Sequence, residues 1–180
     1  MNEGQRIGAR VPNYLAPHPI ATLPQSDRLT RMKIPFPMPT FVLAAHDNVR
    51  VSSDTLLERS PLVVFFYPKD NTTGCTLESC AFRDHSADFA ACGATLVGIS
   101  ADDPQSHTRF REKYNLPYLL LSDPGGEVAL QFGVKRTFGL LAGRETFVVD
   151  KQGKVQWRLR SQLRPLLHVQ EALKAVRNLA

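Results

Sequence analysis

The sequence predicts an α/β fold with a mixed central sheet, and three observations carry that expectation. From Thr40 onward, short apolar runs alternate with segments of helical period. Two of the runs, Leu62 to Tyr67 and Thr95 to Ser100, have the continuous character of central strands buried on both faces. A hairpin pattern stands before them and another after them. With 180 residues, 43% of them hydrophobic, the chain can bury one substantial core and is short for two domains of usual size.

Residues 1–37 hold Pro12, Pro17, Pro19, Pro24, Pro35 and Pro37 and no sustained period, so they read as a Pro-rich arm ahead of a domain at 38–180. Thr40 to Leu43, a turn at His46–Asp47–Asn48, and Val49 to Val51 form the first hairpin, followed by a short helix capped by Ser52 or Ser53. Pro68 ends the strand Leu62 to Tyr67. A helix is predicted from Cys75 to about Ala91, with Cys75, Phe82 and Phe89 on its core face and Gly93 as terminator. Asp103 before Pro104 caps a helix running to about Tyr114. Leu119 to Leu121 is a short strand and Gly126 to Phe132 a short helix. Glu145 to Val149 and Lys154 to Arg158 flank a turn at Asp150 to Gly153, and Leu166, Val169, Leu173, Val176 and Ala180 mark a last helix. Two βα units, a hairpin and a final helix make a thioredoxin-like three-layer sandwich.

Composition narrows the function. No apolar run approaches the roughly 20 residues of a membrane-spanning helix. The formal charge is +5, but the basic residues are scattered and lack an aromatic stacking platform, so a solvated basic face is expected rather than nucleic-acid binding. Met1 to Arg10 has no signal-peptide run, which reads as a cytoplasmic chain. The alternative, an acid-poor transit peptide with Arg6 and Arg10, is disfavoured by the prolines that follow. Three cysteines, Cys75, Cys80 and Cys92, are an odd number and point to redox or metal chemistry rather than a disulfide framework. Cys75, Cys80 and His85 along one helix do not converge on a tetrahedral ion, so no metal and no cofactor is expected. His85 and His107 read as solvent-facing or locally hydrogen-bonded.

The chemistry concentrates in Pro68-Lys-Asp-Asn-Thr72-Thr-Gly-Cys75-Thr-Leu-Glu-Ser-Cys80, between a buried strand and a helix N-terminus. Unpaired amides and the positive end of the helix dipole favour a thiolate there. Thr72, three residues before Cys75, can bring a hydroxyl to the sulfur; Pro68 can shield the pocket without offering an amide; Gly74 lets the backbone come close. Cys80 is open to two readings, a small buried helix residue or a second thiol of the cycle. Cys92 is assigned to packing, and Glu78 can be merely a first-turn acid.

The segment resembles the peroxiredoxin motif of proline, three residues, threonine or serine, two residues and cysteine, which Pro68, Thr72 and Cys75 match. The resemblance is most specific for the Q-type group, the bacterioferritin comigratory proteins. It extends over roughly residues 38–180 through Val63 to Pro68, Gly98-Ile-Ser100, Leu121-Ser-Asp123, Phe132-Gly-Val134 and Arg144 to Asp150.

That resemblance implies a thiol-dependent peroxidase acting on hydrogen peroxide and organic hydroperoxides. Cys75 would be the peroxidatic residue and Cys80 the resolving one, joined in an intramolecular disulfide and re-reduced by thioredoxin or a glutaredoxin-like dithiol. It also implies a catalytic arginine just before the late strand, where Arg144 stands; read alone, Arg144 is more simply a solvated surface residue in an ion pair with Glu145. A monomer or weak dimer is expected. The sequence departs from the group in its N-terminal arm, in a shorter stretch at Lys135 to Ala142, and at Arg111, near which one subgroup carries its resolving cysteine. Two rivals remain: a disulfide reductase, which ordinarily uses C-x-x-C where this chain has C-x4-C, and a non-catalytic interaction module using the basic surface and the arm.

Overall fold

The computed structural model describes residues 33–59, 61–137 and 141–179. Its strands are β1 (Phe36–Pro37), β2 (Val42–Ala45), β3 (Arg50–Ser52), β4 (Leu62–Phe66), β5 (Thr95–Ser100), β6 (Leu119–Ser122), β7 (Arg136–Thr137), β8 (Leu141–Ala142), β9 (Glu145–Val149) and β10 (Lys154–Arg160). The helices are α1 (Ser53–Leu57), α2 (Thr73–Asp84), α3 (Ser86–Ala91), α4 (Pro104–Tyr114), α5 (Glu127–Gln131) and α6 (Pro165–Arg177). Eight strands form one sheet in the order β1-β10-β9-β4-β5-β6-β2-β3, and β7 and β8 pair separately. The contacts β4–β5 and β5–β6 are parallel and the rest antiparallel, the mixed sheet that the sequence predicts.

The alternation of side chains along β4 divides the core in two. Leu62, Val64 and Phe66 enter a cluster with Leu56 of α1 and Val128 and Ala129 of α5. Val63, Phe65 and Tyr67 enter the other, with Phe82, Phe89, Phe110 and Val169 from α2, α3, α4 and α6. All five residues of β4 are fully buried, which is why its sequence shows no polar alternation. Phe65 stacks on Phe82 with ring centroids 4.3 Å apart and meets Tyr118 edge-on at 5.6 Å, fixing α2 to the sheet.

Local signals place most boundaries. Ser52 accepts from the Thr55 amide and caps α1; Asp103 accepts from Ser106 N at 2.7 Å and caps α4; Asn48 and Gly153 take positive φ at the two hairpin turns. Several expectations are corrected. The single helix over Cys75 to Ala91 is two, because the chain leaves helical geometry at His85 (φ −101°, ψ 9°), whose exposed ring bonds Asp88 at 2.8 Å in the next helix. Cys92 therefore does not share a helix axis with Cys75; it packs, half-buried, against the second cluster. Phe36 and Pro37, read as the end of the arm, pair with Val155 and Lys154 and extend the sheet; residues 1–32 lie outside the described residues. The Lys135 to Ala142 stretch contributes the β7–β8 ribbon. On α6, Val169, Leu173 and Val176 are buried, whereas Leu166 is exposed. Among the described residues no helix is long and apolar enough to cross a membrane.

Candidate active site

The end of β4, the loop after it and the first turn of α2 bring the sequence-predicted residues to one place. Pro68 closes the strand half-buried, Asn71 takes a left-handed turn (φ 59°), and Thr72 becomes the N-cap. The first backbone bond of α2 runs from Thr76 N–H to the Thr72 carbonyl at 2.8 Å. The amides of Thr73, Gly74 and Cys75 thus have no intrahelical acceptor, as at every helix start. Thr72's hydroxyl does not cap α2; it donates to the Lys69 carbonyl at 3.1 Å, leaving the oxygen's lone pairs free to accept. Cys75 follows, 1% exposed, with its sulfur in the second core cluster.

The opposite wall comes from the strand antiparallel to β4. Arg144 lies just before β9, 4% exposed, and its Nη2 donates to Cys75 Sγ at 3.4 Å. Its Nη1 donates to Glu78 Oε2, its Nε to the Gln162 carbonyl at 3.4 Å, and its backbone N–H to Gln162 Oε1 at 3.1 Å. Burial works against the guanidinium charge, but Glu78 and Cys75 more than offset it and hold Arg144 above its ordinary range. Gly74 belongs to this contact: a Cβ there would stand 3.1 Å from Arg144 Nη2, so any larger residue presses on the arginine.

Two sequence alternatives fall here. Arg144 is no surface residue, and its partner is Glu78 rather than its neighbour Glu145, whose Oε1 instead faces Arg158 Nε at 4.0 Å. Glu78 is no exposed first-turn acid. It is fully buried, and burial pushes its carboxyl up against the downward pull of Arg144. Its placement was hinted only by its sharing the core face with Cys75 and Phe82, at spacings of three and four.

His168 of α6 was missed altogether. It is fully buried, with Nδ1 2.8 Å from the Thr146 hydroxyl and 3.7 Å from Glu78 Oε1, and Nε2 2.9 Å from the Ser161 carbonyl. A carbonyl can only accept, so Nε2 carries the proton and Nδ1 accepts from Thr146. Desolvation lowers its pKa to about 4, so the ring is neutral. A folded value below the ordinary 6.5 means that the unfolded chain takes up the proton first. The stability this ring contributes is full above about pH 6.5 and is lost as pH falls toward 4. The difference in unfolding free energy between the native chain and His168→Gln should therefore shrink by about 3 kcal/mol between pH 7 and 4. A pH-independent difference in denaturant titrations would show the ring to be open to water.

Cys80 lies half-buried on α2, and all three cysteines are free thiols, with the helix regular through Cys75 and Cys80.

A thioredoxin-like sandwich with a buried cysteine in the first turn of the helix after its central strand, and an arginine on that sulfur, defines the class of thiol-based redox proteins. The family model described as AhpC/TSA matches residues 35–158. Peroxiredoxin Q of Gentiana triflora, a chloroplastic protein, is 47% identical over 137 residues, which are 76% of this chain and 63% of that one. The chloroplastic peroxiredoxin Q of Sedum lineare is 45% identical over 142 residues, covering 78% and 76%. The crystal structure of peroxidoxin BcpB from Mycobacterium tuberculosis superposes with a TM-score of 0.78 at 38% identity, over 83% of this chain and 99% of that one. The chain belongs to the AhpC/TSA family, among the Q-type peroxiredoxins. It spans 63–66% of the length of six of the curated chloroplastic relatives it matches.

These relatives overturn one expectation. The cytoplasmic placement read from the sequence is contradicted by their chloroplastic location. The physical reason is simple: lack of an apolar run argues against a secretory leader and says nothing of receptor-read organellar addresses.

Proposed function

We propose that this chain is a thiol-dependent peroxidase that reduces hydrogen peroxide and organic hydroperoxides at Cys75. The observation that carries the reading is the Arg144 Nη2 donor 3.4 Å from a sulfur held at a helix N-terminus. A sulfur lone pair attacks the distal peroxide oxygen, the O–O bond breaks, and the leaving oxyanion takes a proton to become water or an alcohol. Cys75 is left as a sulfenic acid, oxidised by two electrons.

The chain's own groups suit the charge that develops. Arg144 and the leftover amides donate to the two peroxide oxygens, Thr72's hydroxyl oxygen accepts a hydrogen bond from the peroxide O–H, and Pro68 keeps water off without adding an amide. Cys80 then attacks the sulfenic sulfur, water leaves, and a Cys75–Cys80 disulfide results. A dithiol such as thioredoxin or a glutaredoxin-like protein supplies two electrons by exchange and reopens it. The protein works as a monomer or weak dimer.

Stopped-flow oxidation of the reduced protein by hydrogen peroxide and by an organic hydroperoxide tests this, with Trp157, the chain's one tryptophan, as fluorescent reporter. Saturable or second-order loss of the Cys75 thiol supports the reading, and a thiol no faster than free cysteine ends it. Thr72→Val should slow the reaction by about ten- to a hundredfold, the range for losing one preorganised polar contact. An unchanged rate in that variant would remove Thr72 from the site.

A further inference from the structure

Behind the loop that joins β4 to α2 lies a buried polar cluster that the chemistry above does not use. Asp70 is 4% exposed, yet it sits in the middle of that loop, two residues before the N-cap. Its Oδ1 accepts from the Tyr67 hydroxyl at 2.8 Å, and its Oδ2 from the Ser106 hydroxyl and His107 Nδ1, both at 2.9 Å. Its backbone N–H donates to Asp102 Oδ2 at 2.8 Å, and the same oxygen accepts from Ser100 at 2.7 Å. Ser122 of β6 donates to the Asp102 carbonyl at 2.6 Å. One side chain and one amide thus tie the loop to Tyr67 at the end of β4, to the turn after β5 and to α4.

The ring of His107 closes the cluster on its inner side. It is fully buried, and its Nε2 faces the Leu121 carbonyl at 3.2 Å, an acceptor only. Nδ1 faces the Asp70 carboxylate, so the ring bridges the loop to β6. Burial, followed by the charge and hydrogen bond of Asp70, keeps the Tyr67 phenol well above its ordinary range, so it stays a donor. Every polar atom of the Asp70 side chain is satisfied, as a buried carboxylate requires.

We infer that Asp70 is a positioning residue: the Tyr67–Asp70–His107 clamp sets where Thr72 stands relative to Cys75 and Arg144. The site is built from two pieces far apart in the chain. Arg144 is held by Gln162 and, on α2, by Glu78 and Cys75, whereas among the described residues nothing in the loop 68–72, Thr72 included, bonds to it. Asp70 is the nearest buried anchor on that half, and only Asn71 separates it from Thr72. Misplacing reacting groups by about 1 Å costs as much as a hundredfold in rate. This rests on the peroxidase reading for its kinetic consequence, while its structural consequence does not.

The test compares Asp70→Ala, Asp70→Asn and Ser106→Ala. Asparagine can keep the geometry, accepting from Tyr67 through its oxygen and presenting its amide to His107 Nδ1. Asp70→Ala should slow Cys75 oxidation by hydrogen peroxide about ten- to a hundredfold with the far-ultraviolet spectrum unchanged, and Asp70→Asn should restore most of that loss. Ser106→Ala, which removes one donor of three, should fall about two- to fivefold, and it serves if the alanine variant does not fold. Amide exchange over Asn71 to Thr76 should rise in Asp70→Ala while β4 and β5 stay protected. Native rates and exchange in Asp70→Ala, or an asparagine variant as slow as the alanine, would overturn the inference. If the native protein itself fails to react with peroxide, the peroxidase reading falls, and the exchange comparison alone decides whether Asp70 positions the loop.

Discussion

Arg144→Met should slow oxidation of Cys75 by two to three orders of magnitude, about the loss seen when a preorganised donor is taken from a site that must stabilise a leaving oxyanion. The guanidinium touches the sulfur at 3.4 Å and is held by two further bonds, with the Arg144 backbone N–H making a third contact to Gln162, so its charge needs no reorganisation during the reaction. The same substitution leaves Glu78 fully buried without its partner. Breaking a buried pair on one side costs about 3–5 kcal/mol of stability, so a slow variant could simply be a damaged one. The double variant Arg144→Met/Glu78→Gln separates the two effects. Removing both charges should restore most of the melting temperature and none of the rate. Recovery of both, measured by calorimetry and stopped-flow, would reassign Arg144 to structure.

The second large effect concerns Cys80→Ser. In the native protein, peroxide should produce a Cys75–Cys80 disulfide visible by mass spectrometry, whereas the serine variant should halt after one oxidation and accumulate sulfinic acid under excess peroxide. Cα atoms five positions apart on an ideal helix lie about 8.7 Å from each other, beyond the roughly 7 Å reach of a disulfide. Since α2 is regular through both cysteines, the bond requires its first turns to unwind. The bonds that must be given up are identifiable: Arg144 to Cys75 and Glu78, and the Tyr118 hydroxyl to the Ser79 carbonyl at 2.8 Å. Phe82, stacked on Phe65 one turn later, marks where the unwinding stops. Amide exchange over Thr76 to Ser79 should therefore rise sharply on oxidation of the native chain and little in Cys80→Ser. Absence of the linkage would leave Cys75 resolved by an external thiol.

Local chemistry made much of this protein readable from its residues. The unbroken apolar run of β4, the Ser52 and Asp103 caps, the positive-φ residues at the hairpin turns and the cysteine behind Pro68 and Thr72 are each specified within a few positions of sequence. Such features depend on side-chain period and backbone sterics, which act over one or two turns. The break at His85 escaped because Phe82 and Phe89 keep helical spacing across it, and period alone cannot distinguish one long helix from two short ones with a shared face.

The groups around the sulfur were another matter. Glu78 and Arg144 are 66 positions apart, Asp70 and His107 are 37, and His168 comes from the last helix. In sequence each is an ordinary charged or polar residue, for which solvent exposure is the reasonable expectation. What converts them into a buried ion pair, a loop clamp and a neutral ring is the order β9-β4-β5-β6, which lays β9 antiparallel against β4 and sets α4 beside the loop. The sequence by itself determined which cysteine stands at a helix start and the element that presents it, because a helix start creates its own unpaired amides. Only the tertiary structure decided which charges surround that thiol, because burying a charge is tolerable solely where long-range packing delivers its partner.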